Sequence, residues 1–131
     1  MTFDHLEHFV LDTETLLALG GNKQVSGLIH IASGDQYMRL WVPVVSMLEA
    51  ERERPGIVEY VGILDVLHPI AADYEAAHTL AEMHRRQIPF GVAAAVHAAR
   101  PDAEFPEGKL VTTVAPTAYE GLGVRVIDLN R

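Results

Sequence analysis

The feature that most constrains this chain is a rhythm: short apolar runs recur along it, and most are followed by stretches with helical spacing. The runs are His8–Asp12, Tyr37–Val42, Asp65–Ile70, Leu110–Val114 and Val124–Leu129. Between them, Thr13–Leu19, Lys23–Ser33, Pro43 to about Arg54, Ala72–Gln87 and Pro89–Arg100 read as helices, and Pro116–Leu122 as a short helical turn. In the second helix Val25, Leu28, Ile29 and Ala32 recur at i, i+3, i+4 and i+7, which places them on one face. On Ala72–Gln87 the expected inner face is Tyr74, Ala77, Leu80, Ala81 and His84. Ile57–Leu64 fits a strand or a buried helix, and is read as helix because Asp65–Ile70 is the clearer strand. Strands that alternate with helices of this length predict an α/β fold. The expectation is a three-layer α/β/α arrangement around a mainly parallel sheet of about five strands, as one domain over residues 1–131.

Composition decides what such a sheet can serve. With 131 residues and 49% hydrophobic content, the chain has enough apolar material for a core without staples. It has no cysteine, which excludes disulfides, thiolate zinc sites and cysteine nucleophiles. Eighteen acids against ten Lys and Arg leave a formal charge of −8. Phosphate binding depends on concentrated positive charge, so a generic nucleic-acid or anionic-membrane binder is disfavoured. Either the ligand is of another kind, or some of the acids hold a divalent cation. The polar, acidic start does not resemble a signal peptide, and no apolar run approaches the roughly 18 residues that span a bilayer. A cytoplasmic protein is expected.

Ligands of parallel sheets bind beyond the carboxyl ends of the strands, which draws attention to Asp12. It either caps the following helix through backbone N–H groups or faces an ion. Glu49 shares the helical phase of Val45, so it either turns inward or pairs with Arg52 on the surface. Among the seven histidines, His5 and His8 are three apart in a stretch expected to be loose, and His84 and His97 fall on or beside apolar faces. Asp102, Glu104 and Glu107 form an acidic loop that is expected to be solvated. The basic residues cluster weakly, as Arg52 with Arg54, Arg85 with Arg86, and Arg100. No Gly-rich phosphate loop and no nucleophile elbow is present.

Three segments together resemble the PIN domain, a nuclease-type fold common among the toxins of toxin–antitoxin pairs. Phe9-Val10-Leu11-Asp12-Thr13-Glu14-Thr15-Leu16-Leu17 is similar to the family's opening strand and first acid. Trp41-Val42-Pro43-Val44-Val45-Ser46-Met47-Leu48-Glu49-Ala50 is similar to the strand, proline and helix that carry the second. Leu110-Val111-Thr112-Thr113, followed by Gly121-Leu122-Gly123-Val124-Arg125-Val126-Ile127-Asp128-Leu129, resembles the closing strand, turn and strand. The order and spacing of the three carry the likeness, which spans nearly the whole chain.

The resemblance implies three or four carboxylates around one or two Mg²⁺ or Mn²⁺ ions that activate water for phosphodiester hydrolysis. Asp12 and Glu49 match the first two acids. The third is expected within Pro89-Phe90-Gly91-Val92-Ala93, and the fourth just after Thr112-Thr113, where the chain has Val114-Ala115-Pro116-Thr117. Both are missing. Glu14 adds a third metal ligand if it turns inward, and otherwise sits in solvent in the first helical turn. The implied protein is a degenerate PIN-like domain without efficient nuclease activity that acts through protein contacts. Its expected partner is a second copy in a homodimer, or an antitoxin-like basic segment in the acidic groove, with RNA bound weakly if at all. Two alternatives stand beside it: a Mg²⁺- or Mn²⁺-dependent ribonuclease with a rebuilt site of Asp12, Glu49 and Glu14, and an unrelated flavodoxin-like α/β domain.

Overall fold

The computed structural model describes residues 6–130. The strands are β1 (Glu7–Leu11), β2 (Met38–Pro43), β3 (Leu67–Ile70), β4 (Leu110–Thr113) and β5 (Val126–Asp128). All pair in parallel, in the order β3-β2-β1-β4-β5. The flavodoxin-like order is 2-1-3-4-5, so the flavodoxin-like alternative is excluded by topology. The sheet departs from expectation only in being parallel throughout.

The helices are α1 (Thr13–Leu17), α2 (Lys23–Gly34), α3 (Val44–Glu53), α4 (Ile57–Ile63), α5 (Tyr74–Arg85) and α6 (Phe90–Ala99), with a 3-10 turn at Pro116–Tyr119. Their starts are written locally. Asn22 accepts from the N–H groups of Gln24 and Val25, and Asp73 accepts from that of Ala76, each satisfying backbone donors that a helix start leaves free. α4 is started from outside: the Glu51 carboxylate of α3 accepts from Gly56 N at 3.0 Å and Val58 N at 3.0 Å. Gly56 itself has φ of +104°, a backbone state that suits glycine. Pro43 and Pro89 stand immediately before α3 and α6 as their N-caps rather than inside them.

Alternation along β1 divides the core. Phe9 and Leu11 join Leu16, Val25, Leu40, Met47, Ile57 and Val61 on one side of the sheet. Val10 joins Leu80, Met83, Val96 and Val111 on the other, with α5 and α6. Fully burying each Leu, Ile or Val stabilises the fold by about 2 kcal/mol before chain entropy is counted. In α6 Ala93, Ala94 and Ala95 are all buried, because small side chains bring the helix close to the sheet. The face expected of α5 is corrected: Ala76, Leu80 and Met83 point inward, whereas Tyr74 is 85% exposed and His84 stacks in the open on Phe90. The inward stripe is set by Met83, one residue before His84. His97 of α6 is half-buried beside Val45 and Ile70. Among the described residues no helix is long and apolar enough to cross a membrane.

The chain leaves β1 toward β2 and returns through α6 into β4 on β1's other side. The gap between the carboxyl ends of β1 and β4 is therefore the point where strand order reverses, the usual binding crevice of open α/β sheets. Asp12 follows β1 and Thr113 ends β4, so both stand at that gap.

Candidate functional site

Asp12 is 2% exposed, and its carboxylate is surrounded by donors. Oδ1 accepts from Thr15 N at 3.0 Å, the helix-cap arrangement. Oδ2 accepts from Thr113 Oγ1 at 2.7 Å and from the Tyr119 hydroxyl at 2.6 Å. The Thr113 hydroxyl is itself held, accepting from Ala115 N at 2.9 Å. Burial, with the Asp12 charge and hydrogen bond next, pushes the Tyr119 hydroxyl far above its ordinary value, so it remains a donor. Thr15 Oγ1 donates to Thr112 O, and Thr112 Oγ1 to Val10 O, which ties α1, β4 and β1 together behind the carboxylate.

The other acids stand farther out. Glu49 is half-buried and accepts from Arg52 Nη1 on both oxygens, at 3.0 and 3.2 Å. This is the only ion pair among the described residues, and it corresponds to the surface pairing weighed for Glu49. Glu14 is exposed in the first turn of α1. Partial burial, then Glu53 and Asp12, raise its carboxyl above the ordinary value. Asp12, Glu14, Glu49 and Glu53 nevertheless line one cleft of about 380 Å³, with Arg52, Pro89, Gly91 and Val92 on its walls.

Within Pro89–Ala93, the stretch where the resemblance puts a third acid, Gly91 is closed to a side chain by packing. A Cβ built on Gly91 would collide with the Thr13 hydroxyl. That hydroxyl donates to Ser46 O at 2.8 Å, and Ser46 Oγ donates to Gly91 O at 2.8 Å. Thr13, Ser46 and Gly91 thus lock α1, α3 and α6 together. The stretch Val114–Thr117, where the resemblance puts a fourth acid, carries none, and Thr113 and Tyr119 on either side of it donate to Asp12.

Mg²⁺ demands near-octahedral oxygen ligands and sheds water reluctantly. Here Asp12 already takes three protein hydrogen bonds and Glu49 is tied to Arg52. Among the described residues no three His, Asp or Glu side chains are grouped to hold an ion. An ion in this cleft would have to compete with Thr113 and Tyr119 for Asp12 and with Arg52 for Glu49.

The remaining candidates lie elsewhere. The Asp102–Glu107 loop precedes β4, so in a parallel sheet it sits at the opposite edge from Asp12 and cannot reach it. His8 does not lie in a loose stretch: it is in β1, half-buried, and its Nδ1 accepts from Trp41 Nε1 at 2.9 Å. His5 lies outside the described residues. Arg54 spends its guanidinium on Leu17 O at the end of α1 and Leu19 O just past it, and Arg52 on Glu49, so neither is free for phosphate. Thr113, Tyr119 and the Thr13–Ser46–Gly91 lock were not picked out from the sequence. Adjacent polar residues ending a buried strand, Thr112 and Thr113, were the available signal.

No model of a known protein family matches the chain, and no curated protein matches it.

Proposed function

We propose that this protein is a PIN-like domain without efficient nuclease activity, acting through protein contacts at the Asp12 cleft. The observation that carries the reading is the carboxylate of Asp12, engaged by Thr15, Thr113 and Tyr119 where a nuclease would offer it to a metal. The acids around it keep the cleft negative: Glu14, Glu49 and Glu53 face one another across it against a single Arg52. A partner segment rich in Arg or Lys, with apolar side chains for Pro89 and Val92, complements such a cleft, and a second copy is the other partner this reading allows. The protein then works as a cytoplasmic binding module.

Two assays test it. Single-stranded RNA incubated with the protein and Mn²⁺ stays intact; prompt cleavage that EDTA stops and Asp12→Asn abolishes overturns the reading. A fluorescein-labelled Arg-rich peptide binds, its affinity falls with salt, and Glu14→Lys with Glu53→Lys abolishes binding. Salt-independent binding, or none with a monomer at all concentrations, counts against a contact role. The competing reading, a metal-dependent ribonuclease using Asp12, Glu49 and Glu14, draws its support from those three lining one cleft.

A further inference from the structure

The opposite edge of the sheet carries a second cluster, unrelated to the acidic cleft. Phe105, from the loop between α6 and β4, meets the His8 ring edge-on at 4.6 Å between centroids and the Trp41 ring at 6.0 Å. Lys109 Nζ lies 3.7 Å from the centre of the Phe105 ring and donates to Ala98 O at 3.3 Å. The loop is otherwise held mainly by itself. Phe105 N donates to Asp102 Oδ1 at 2.7 Å, and Asp102 N to Phe105 O at 3.1 Å. Gly108, with φ of +72° and its Cα against Ala99 O, closes the loop's base. One further tie crosses to the closing strand region, Arg125 Nη2 to Glu107 O at 2.9 Å. Phe105 is therefore the side chain that seats the loop, and His8 with Trp41 is its seat.

That seat has a protonation requirement. An indole N–H only donates, so the His8 Nδ1 that accepts from it carries no proton, and the neutral ring keeps its proton on Nε2. We propose that His8 is a pH-sensitive latch: protonation at Nδ1 turns the Trp41 acceptor into a donor, unseats Phe105 and frees the 100–108 loop. The opening would reshape the surface pocket of about 240 Å³ that His8 and Phe105 line with Leu6, Pro106, Leu110 and Arg125, because the loop forms one of its walls.

The surroundings oppose a charged His8. Burial, then Lys109 just before β4 and Arg39 of β2, hold its pKa below the ordinary 6.5, while Glu104 of the loop pulls the other way. Glu7 and Glu107 border the same pocket, and His68 of β3 lies against the far side of Trp41 at 5.8 Å. An imidazolium here would stand beside two cations without a donor-to-acceptor match. The closed form is thus the neutral form, and acid drives opening.

Trp41 is the chain's only tryptophan, so its indole N–H is a unique reporter. The test is an NMR titration of the whole protein from about pH 8 to about pH 5. It follows the His8 ring nitrogens, the Trp41 indole N–H and the Phe105–His8 ring contact, with far-UV circular dichroism alongside. The expected result is Nε2–H His8 at neutral pH, and loss of the indole shift and ring contact with a single midpoint while the helices stay intact. His8→Phe removes the titration and His68→Phe leaves it. The latch is overturned by a proton on Nδ1 at neutral pH, by a Phe105 contact that survives His8 protonation, or by changes that persist in His8→Phe. A transition coinciding with global unfolding overturns it too. Should His8→Phe fail to fold, the wild-type titration alone decides.

Discussion

The two ends of β1 hold titratable groups in opposite ways. At the carboxyl end, Asp12 accepts three hydrogen bonds from a backbone amide and two hydroxyls that stay donors throughout the physiological range. At the amino end, His8 accepts one bond from a donor that cannot adapt, beside Lys109 and Arg39. The first group is a fixture of the fold, and the second changes its fit when it gains a proton. Position at a crevice therefore does not make a carboxylate reactive; the number and kind of its partners decide what it can still do.

The largest effect is expected at Asp12. Asp12→Ala leaves Thr113 and Tyr119 without an acceptor and uncaps α1, and should cost about 3 kcal/mol in denaturant unfolding. Asp12→Ala with unchanged stability would mean that its partners are incidental. Gly91→Asp should cost about 2 kcal/mol, because the new side chain must displace Thr13 from Ser46. A stable Gly91→Asp protein that also gains Mn²⁺ binding would show that the lock yields. Tyr119→Phe removes one donor of three and should cost about 1 kcal/mol.

The His8 end makes a smaller, pH-dependent contribution, and its sign follows from the lowered pKa. Because the folded value lies below the unfolded 6.5, unfolded chains bind more protons in between. The stabilisation is present above about pH 6.5 and is lost as pH falls from there through the folded value. Unfolding midpoints of wild type and His8→Phe measured across that window should diverge on acidification, wild type losing stability faster. The smallest effect belongs to the cleft rim. Glu14 has a raised pKa, so its charge is disfavoured in the folded state at neutral pH. Glu14→Gln should stabilise by about 0.3 kcal/mol at pH 7, and the gain should vanish once Glu14 itself is protonated.

Most of the architecture was legible because it is local. Val25, Leu28, Ile29 and Ala32 do line up on α2, and the apolar runs are the strands. α5 misled because Tyr74 and His84 mimic an inner stripe, whereas Ala76 and Met83, shifted in phase, fill the space against α6. The positions of Asp12 and Glu49 were legible too, from strand end and helical phase. Their partners were not, because they are distant in sequence: Tyr119 lies 107 residues from Asp12, and Phe105 reaches His8 only through the folded loop. In the sequence Gly91 is one of five positions, Pro89–Ala93, where the resemblance expects an acid; in the structure it is a filled contact, because Thr13 stands against it.

The proposed contact role of the Asp12 cleft depends on a carboxylate already engaged by Thr15, Thr113 and Tyr119. Thermal unfolding with and without about 1 mM Mn²⁺ tests it most directly, since a site with a Kd of about 10 µM would then add about 2.7 kcal/mol. The same Tm is expected in both conditions, for wild type and for Asp12→Asn alike. A Tm that rises by several degrees with Mn²⁺, and no longer rises in Asp12→Asn, would contradict it.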